Sequence, residues 1–312
     1  MMMDGGWIPQ ERRTKEQMEL TEAFAASVGV FSSVPKSLPE RVIFEETELK
    51  FWPELLPRVW QTTGSCVGAG AAAAYVHAAA MDYIYRDDQE AVKLSFPYYA
   101  YGIGRQIAGM NGRGEGSFGA AQAKAVEQYG MLPYDFDRMP QPQIRSGHWW
   151  KWTSSEEFAW SHPRVFPIPL TELRSASEPY RMHKVTRIQS PEQWKEALAS
   201  GYSVTLASMF GTRNRVEHDV LLGRWNDSWA HQMSSSGYWE HPRLGLIFKI
   251  DNQWGPSFHG WCPTLKEFGV NGSFWMLAED ARKVCSRGEV FAHSHTGGFE
   301  TREGLFDDGG HW

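Results

Sequence analysis

Residues 61–85 read QTTGSCVGAGAAAAYVHAAAMDYIY, and the fold turns on this stretch. Val67, Ala71, Ala74, Ala78, Met81 and Tyr85 recur at steps of four and three, which is one face of a helix. Ser65 is a good N-cap residue type, so Cys66 falls in the first helical turn. The alanines let other segments come close, so the helix reads as central and buried rather than superficial. A thiol in the first turn feels the positive end of the aligned peptide dipoles, which favours thiolate. On its own, however, a cysteine is more often a small buried hydrophobe. A nucleophile also needs a base, and the base needs an orienter.

Both occur downstream. "WAHQMSSSGYW" places His231 just before a strand-like run, and "LGLIFKIDNQWG" places Asn252 after a strand and before Trp254 and Gly255. An asparagine carbonyl can accept the second ring N–H of a histidine, and an adjacent tryptophan can shield that bond from water. His218, with Asp219 beside it, is a rival base.

These motifs resemble the papain and cathepsin family of cysteine peptidases. That family's nucleophile follows Gly-Ser, shortly after a glutamine, at the start of a long helix; its asparagine sits in an Asn-Ser-Trp-Gly motif, here Asn252-Gln253-Trp254-Gly255. "GRGEGSFGAAQAKAVEQYGMLPYD" is similar to its glycine-rich groove loop and following helix, and "SPEQWKEALASGYSVTLASM" to the helix and strand that open its second lobe. The resemblance spans residues 40–280 in order. It implies Cys66 as nucleophile, His231 as base, Asn252 as orienter, and Gln61 with the Cys66 backbone N–H as oxyanion donors. It also puts Gly114, Gly116 and Trp254 on the substrate-binding side, with an extended polypeptide in the groove and no cofactor or metal.

The chain departs from the family pattern in several places. Gln61 stands five residues before Cys66 rather than six, Val67 replaces an aromatic, Thr63 takes the place of a disulfide cysteine, and Ala230 precedes His231. His231 lies 165 and Asn252 186 residues after Cys66, against roughly 130–150 in papain-type enzymes. The segment 138–185 and a long hairpin at "GYWEHPRLG" absorb the excess.

The implied fold is α+β: a papain-like two-lobe architecture, with a helical lobe over about 55–140, an irregular crossing at 138–185 and a β-barrel-like lobe over 185–284. Residues 1–37 read as an N-terminal arm or short pro-segment, with a helix over Lys15–Ser27 and a break at Ser32–Pro39. Residues 285–312 read as a loop-like C-terminal tail.

The bulk composition agrees. The 312 residues are 42% hydrophobic and 22% charged, enough for a large core. Fifteen Trp and 17 Phe suit cores and groove walls. The net charge of -6 without a Lys/Arg block argues against a nucleic-acid partner. No apolar run approaches a membrane span. The N-terminus lacks an apolar signal core, so a cytoplasmic or virion-associated product is expected. Three cysteines make no disulfide framework; Cys262 and Cys285 pair or both stay reduced. His293 and His295 with Cys285 fit no standard zinc spacing. Two other readings stay open: a papain-fold structural or binding protein, for example in a phage particle, and a cell-wall peptide amidase.

Overall fold

The computed structural model describes residues 6–26, 37–87, 92–110, 114–296, 299–300, 302 and 305–306. Helix α1 (Lys15–Ala26), strand β1 (Arg41–Ile43), helix α2 (Phe44–Phe51) and strand β2 (Arg58–Val59) lead to the central helix α3 (Cys66–Tyr85). Every residue of α3 from Cys66 to Asp82 is buried, so it is covered on all sides rather than on one face. Small side chains make this possible. A Cβ on Gly68 would lie 2.6 Å from the Cβ of Tyr101, and one on Gly70 would press on Gln232. Ser65 does not cap α3; its hydroxyl turns away to donate to Glu157.

The helical lobe continues through β3 (Ser95–Phe96), α4 (Pro97–Ile107), α5 (Gly119–Tyr129) and β4 (Leu132–Pro133). The crossing segment is less irregular than its composition suggests. It holds β5 (Ile144–Ser146), β6 (Trp149–Lys151), α6 (Ser154–Ala159) and α7 (Leu170–Ser177). Strands β2, β6 and β5 form a small sheet. Trp152 and Trp160 of this segment meet Phe96 edge to face at 5.5 and 5.0 Å, so it builds the first lobe's core. Full burial of each such ring contributes about 1.5–3 kcal/mol, which the short alanine side chains of α3 do not supply.

The second lobe comprises β7 (Lys184–Arg187), α8 (Pro191–Ala199), β8 (Ser203–Ser208), β9 (Thr212–Glu217), β10 (Val220–Trp225), β11 (His231–His241), β12 (Gly245–Asp251), β13 (Ser273–Leu277), α9 (Ala278–Arg287) and β14 (Glu289–Ser294). The main sheet runs β7-β14-β8-β11-β12-β13-β10-β9, with β1 also paired to β11. Strand β11 is long enough to serve two partners on one edge. Residues 231–235 pair with β8 and 237–239 with β1, and the register shifts between Ser235 and Gly237. The β11–β12 hairpin closes at His241 and Gly245, which accounts for the long spacing from His231 to Asn252.

One further expectation changes. The loop-like tail from 285 is structured at its start: α9 ends at Arg287, and β14 lies inside the sheet between β7 and β8. "EVFAHS" shows no alternation because both of its faces are buried. The expected break at 32–36 and the end of the tail at 307–312 lie outside the described residues. All three cysteines are buried and none is in a disulfide.

Candidate active site

The loop 61–65 delivers Cys66 to the N-terminus of α3, at the junction of the two lobes. The thiol is fully buried. Its sulfur accepts from the backbone N–H of Gln232 at 3.4 Å. Gln232 directly follows His231, so standard peptide dimensions put Cys66 Sγ no more than about 6 Å from the His231 Cα. Three distant pieces of sequence therefore meet: β11 supplies His231 as its first residue, β12 ends at Asp251, and Asn252 follows.

His231 Nε2 bonds to Asn252 Oδ1 at 2.8 Å, and both side chains are buried. Trp254 lies over the imidazole with ring centroids 4.3 Å apart, and Trp229 closes its edge at 5.5 Å. Trp254 thus shields the His231–Asn252 bond. Gly255 turns the chain at φ +90°; a Cβ there would lie 2.4 Å from the Trp60 ring, which explains the Trp-Gly pair. Gln61 is buried, its backbone N–H donates to Gln253 O at 2.9 Å, and its amide Nε2 donates to Thr63 O at 3.0 Å. The rival base His218 belongs elsewhere, 6.3 Å from the ring of His241 and 3.4 Å from Arg243.

Burial pushes the Cys66 thiol up to about 12; the N–H groups of Gln232, Val67 and Cys66 itself pull it down only in part. The helix terminus alone does not make a thiolate here, because desolvation of the charged form outweighs it.

The N-terminal arm packs beside the loop that leads to Cys66. Ile8 N–H donates to Ser117 O at 2.8 Å and Ser117 N–H to Gly6 O at 2.9 Å, a one-residue parallel bridge beside Trp7. Gly6 lies on the backbone of Gly64, two residues before Cys66, and Gly116, at φ +93°, has room only for hydrogen where Gly6 O passes. Gly114 also has positive φ, and its carbonyl accepts from Arg105 at 2.8 Å. Trp7 Nε1 and the Arg13 guanidinium converge on Glu289 at 2.8 and 2.5 Å. The same carboxylate takes the N–H groups of Gly119 and Ala120 at 3.0 Å, capping α5.

A second histidine stands behind the orienter. Asn252 Nδ2 donates to His259 Nε2 at 2.7 Å, and the other His259 nitrogen meets the Asn214 amide. Burial, with help from His231 and Arg58, lowers His259 to about 3, so it is a neutral acceptor.

Glu45, His77 and Asp251 converge closely enough to hold a metal ion. Lys249 Nζ fills that role, bonding Glu45 at 2.7 Å and Asp251 at 2.5 Å. Donors already neutralised by an ammonium do not fit a cation site. His293 bonds Thr205 and His295 pairs with Asp82, and among the described residues they do not come together with Cys285 as a group of metal-ligand donors.

No protein-family model and no curated protein matches the sequence. Solved structures do match the fold. Xylellain, a cysteine protease from Xylella fastidiosa, superposes with a TM-score of 0.56 over 93% of this chain and 96% of its own at 16% identity. The ragweed pollen cysteine protease Amb a 11, in its proform, gives 0.51 over 85% and 67% at 13% identity. Bromelain protease from Ananas comosus gives 0.50 over 82% and 99% at 10% identity. The chain has the papain-like fold. Within the papain-like fold of this chain, four residues near the candidate centre escaped the sequence reading: Glu157, His259, Ser117 and Glu289. None carries a functional signature of its own: Glu157 ends the polar run 154–157, and Ser117 is one more small residue in the glycine-rich loop before α5.

Proposed function

We propose that this chain is a cysteine peptidase that hydrolyses polypeptides through a thioester. The observation that carries this reading is the His231–Asn252 hydrogen bond of 2.8 Å beside the residue whose N–H meets Cys66 Sγ. Nε2 bonds to Asn252, and this reading assigns Nδ1 to the thiol. Cys66 Sγ attacks the scissile carbonyl and its proton passes to His231. The C–N bond then breaks as His231 protonates the leaving amine. Water, giving its proton to His231, hydrolyses the thioester and restores the thiol. Gln61 Nε2 and the Cys66 backbone N–H stabilise the tetrahedral oxyanion.

The arm is read as an inhibitory segment that occupies the groove in a substrate's place. Its backbone pairs with Ser117 and its side chains anchor on Glu289. A cleft of about 400 Å³ flanks it, lined by Ile8, Arg12, Glu115, Gly116 and Ala230. Full burial of the thiol favours a second reading, a papain-fold protein without turnover. A papain-class epoxide with adduct mapping separates the two. Labelling at Cys66 under reducing conditions, abolished in His231→Ala, together with cleavage of a denatured protein substrate, is the expected result. No labelling at any pH where the protein stays folded supports the second reading.

A further inference from the structure

Helix α6 begins with a capping box: Thr153 and Glu156 satisfy each other's exposed N–H groups. That arrangement turns the next residue, Glu157, inward, where it is 1% exposed. Its carboxylate accepts five hydrogen bonds from the loop before Cys66. Oε1 takes the Thr62 N–H at 2.8 Å and hydroxyl at 2.5 Å. Oε2 takes the Thr63 N–H at 3.1 Å, the Thr63 hydroxyl at 2.5 Å and the Ser65 hydroxyl at 3.1 Å. Three of the four residues between Gln61 and Cys66 are thus held by one side chain from the crossing segment. Gly64, the fourth, is held through its N–H by Glu115 at 2.9 Å and through its carbonyl by Tyr101 at 3.2 Å.

The consequence reaches Gln61. Its Nε2 donates to Thr63 O, while its Oε1 is buried with no partner among the described residues. The bond to Thr63 O therefore sets which way the amide faces: turned over, the two oxygens would oppose each other. The place of Thr63 O is fixed in turn by the two bonds from Thr63 to Glu157. A carboxylate accepting several hydrogen bonds, its charge desolvated, holds its donors more firmly than neutral pairs do.

We infer that Glu157 is a positioning residue for the oxyanion hole: through Thr63 it aims the Gln61 amide at the carbonyl oxygen attacked by Cys66. The inference rests on the peptidase reading above. It explains how a loop one residue shorter than the family pattern, with Thr63 at the disulfide position, keeps its donor in place without a covalent tie.

The test compares two reactions of Cys66 in the full chain. Peptide hydrolysis passes through an oxyanion; alkylation by iodoacetamide, at a saturated carbon, does not. Looser arm docking or a changed thiol moves both rates together, so their ratio isolates the oxyanion hole. In Glu157→Gln, kcat for peptide hydrolysis falls at least tenfold, KM changes less than threefold, and the alkylation rate changes less than twofold. The double variant Thr62→Val/Thr63→Val, read if Glu157→Gln does not fold by thermal unfolding, gives the same split with a smaller fall in kcat. A parallel drop in both rates, or no drop in either, overturns the inference and leaves the peptidase reading standing. A wild-type chain whose Cys66 is alkylated but which cleaves no polypeptide overturns both.

Discussion

At the scale of single residues, the candidate centre is a chain of three side chains: His231, Asn252 and His259. Each member fixes the one before it. The Asn252 amide can present either its oxygen or its nitrogen to His231, and the neutral His259 acceptor selects the oxygen by taking the nitrogen. His259→Leu keeps the bulk but removes that acceptor. We expect kcat to fall roughly tenfold or more, a loss of about 1–3 kcal/mol for an unpaired buried donor, with thermal unfolding showing a loss of the same order. Unchanged kinetics in a folded variant would contradict the relay. A second prediction concerns the thiol. With Cys66 near 12 in the covered state, its alkylation rate climbs with pH up to pH 10 without levelling. A plateau below pH 8 in the full chain would mean that the sulfur is already ionised under the arm.

The residue scale also marks how far the sequence is legible. Cys66 and Asn252 announce themselves because each sits where an element starts or ends, flanked by residues with a local mechanical reason: glycine before a helix, Trp-Gly at a tight turn. Glu157 and Glu289 do not. Their roles arise from donors 92–95 and 169–282 residues away in sequence, respectively. Glu156, one position earlier, sits three residues after Thr153 and closes its capping box, but no such mark falls on Glu157.

At the scale of elements, the arm, α5 and β14 share one anchor. Glu289 is drawn toward the neutral acid by burial, but Arg13, Trp7 and the Ala120 N–H outweigh this and hold its carboxyl below the ordinary glutamate value. A depressed carboxylate stabilises docking fully above the unfolded value, about 4.3, and that contribution fades as pH falls through the lower folded value. Acid therefore loosens the arm, and neutral or alkaline solution does not. Arg13→Ala does the same at neutral pH. Leaving Glu289 buried and unpaired costs on the order of 3–5 kcal/mol. Hydrogen exchange over 6–26 should rise at least tenfold, and epoxide labelling of Cys66 with it. If labelling stays at the wild-type rate while exchange rises, the arm is not what covers the thiol. Strand β14 was illegible for a related reason: six residues buried on both faces carry no period, and Glu289 and His293 lend it the look of a polar tail.

At the scale of the whole molecule, a buried ion network ties the lobes behind the site. Lys249 joins Glu45 of α2 to Asp251 of β12, and Arg58 of β2 reaches Asp251 at 3.4 Å and the Asn252 carbonyl at 3.2 Å. Burial alone would neutralise Asp251, but Lys249, Arg58 and His77 together keep it ionised well below the usual carboxylate range. Lys249→Met removes the ammonium between Glu45 and Asp251 and leaves Arg58 to hold Asp251. We expect a loss of about 3–5 kcal/mol in denaturant unfolding; a loss below about 1 kcal/mol would show that Arg58 alone suffices.

The placement of β14 has one more consequence. Trp7 and Arg13 leave the ribosome some 280 residues before the carboxylate that receives them, which emerges on a strand that must slot between two already made. During synthesis the arm's anchor is therefore missing until the sheet is nearly finished. A nascent polypeptide halted short of residue 289 has no carboxylate on which to moor Trp7 and Arg13.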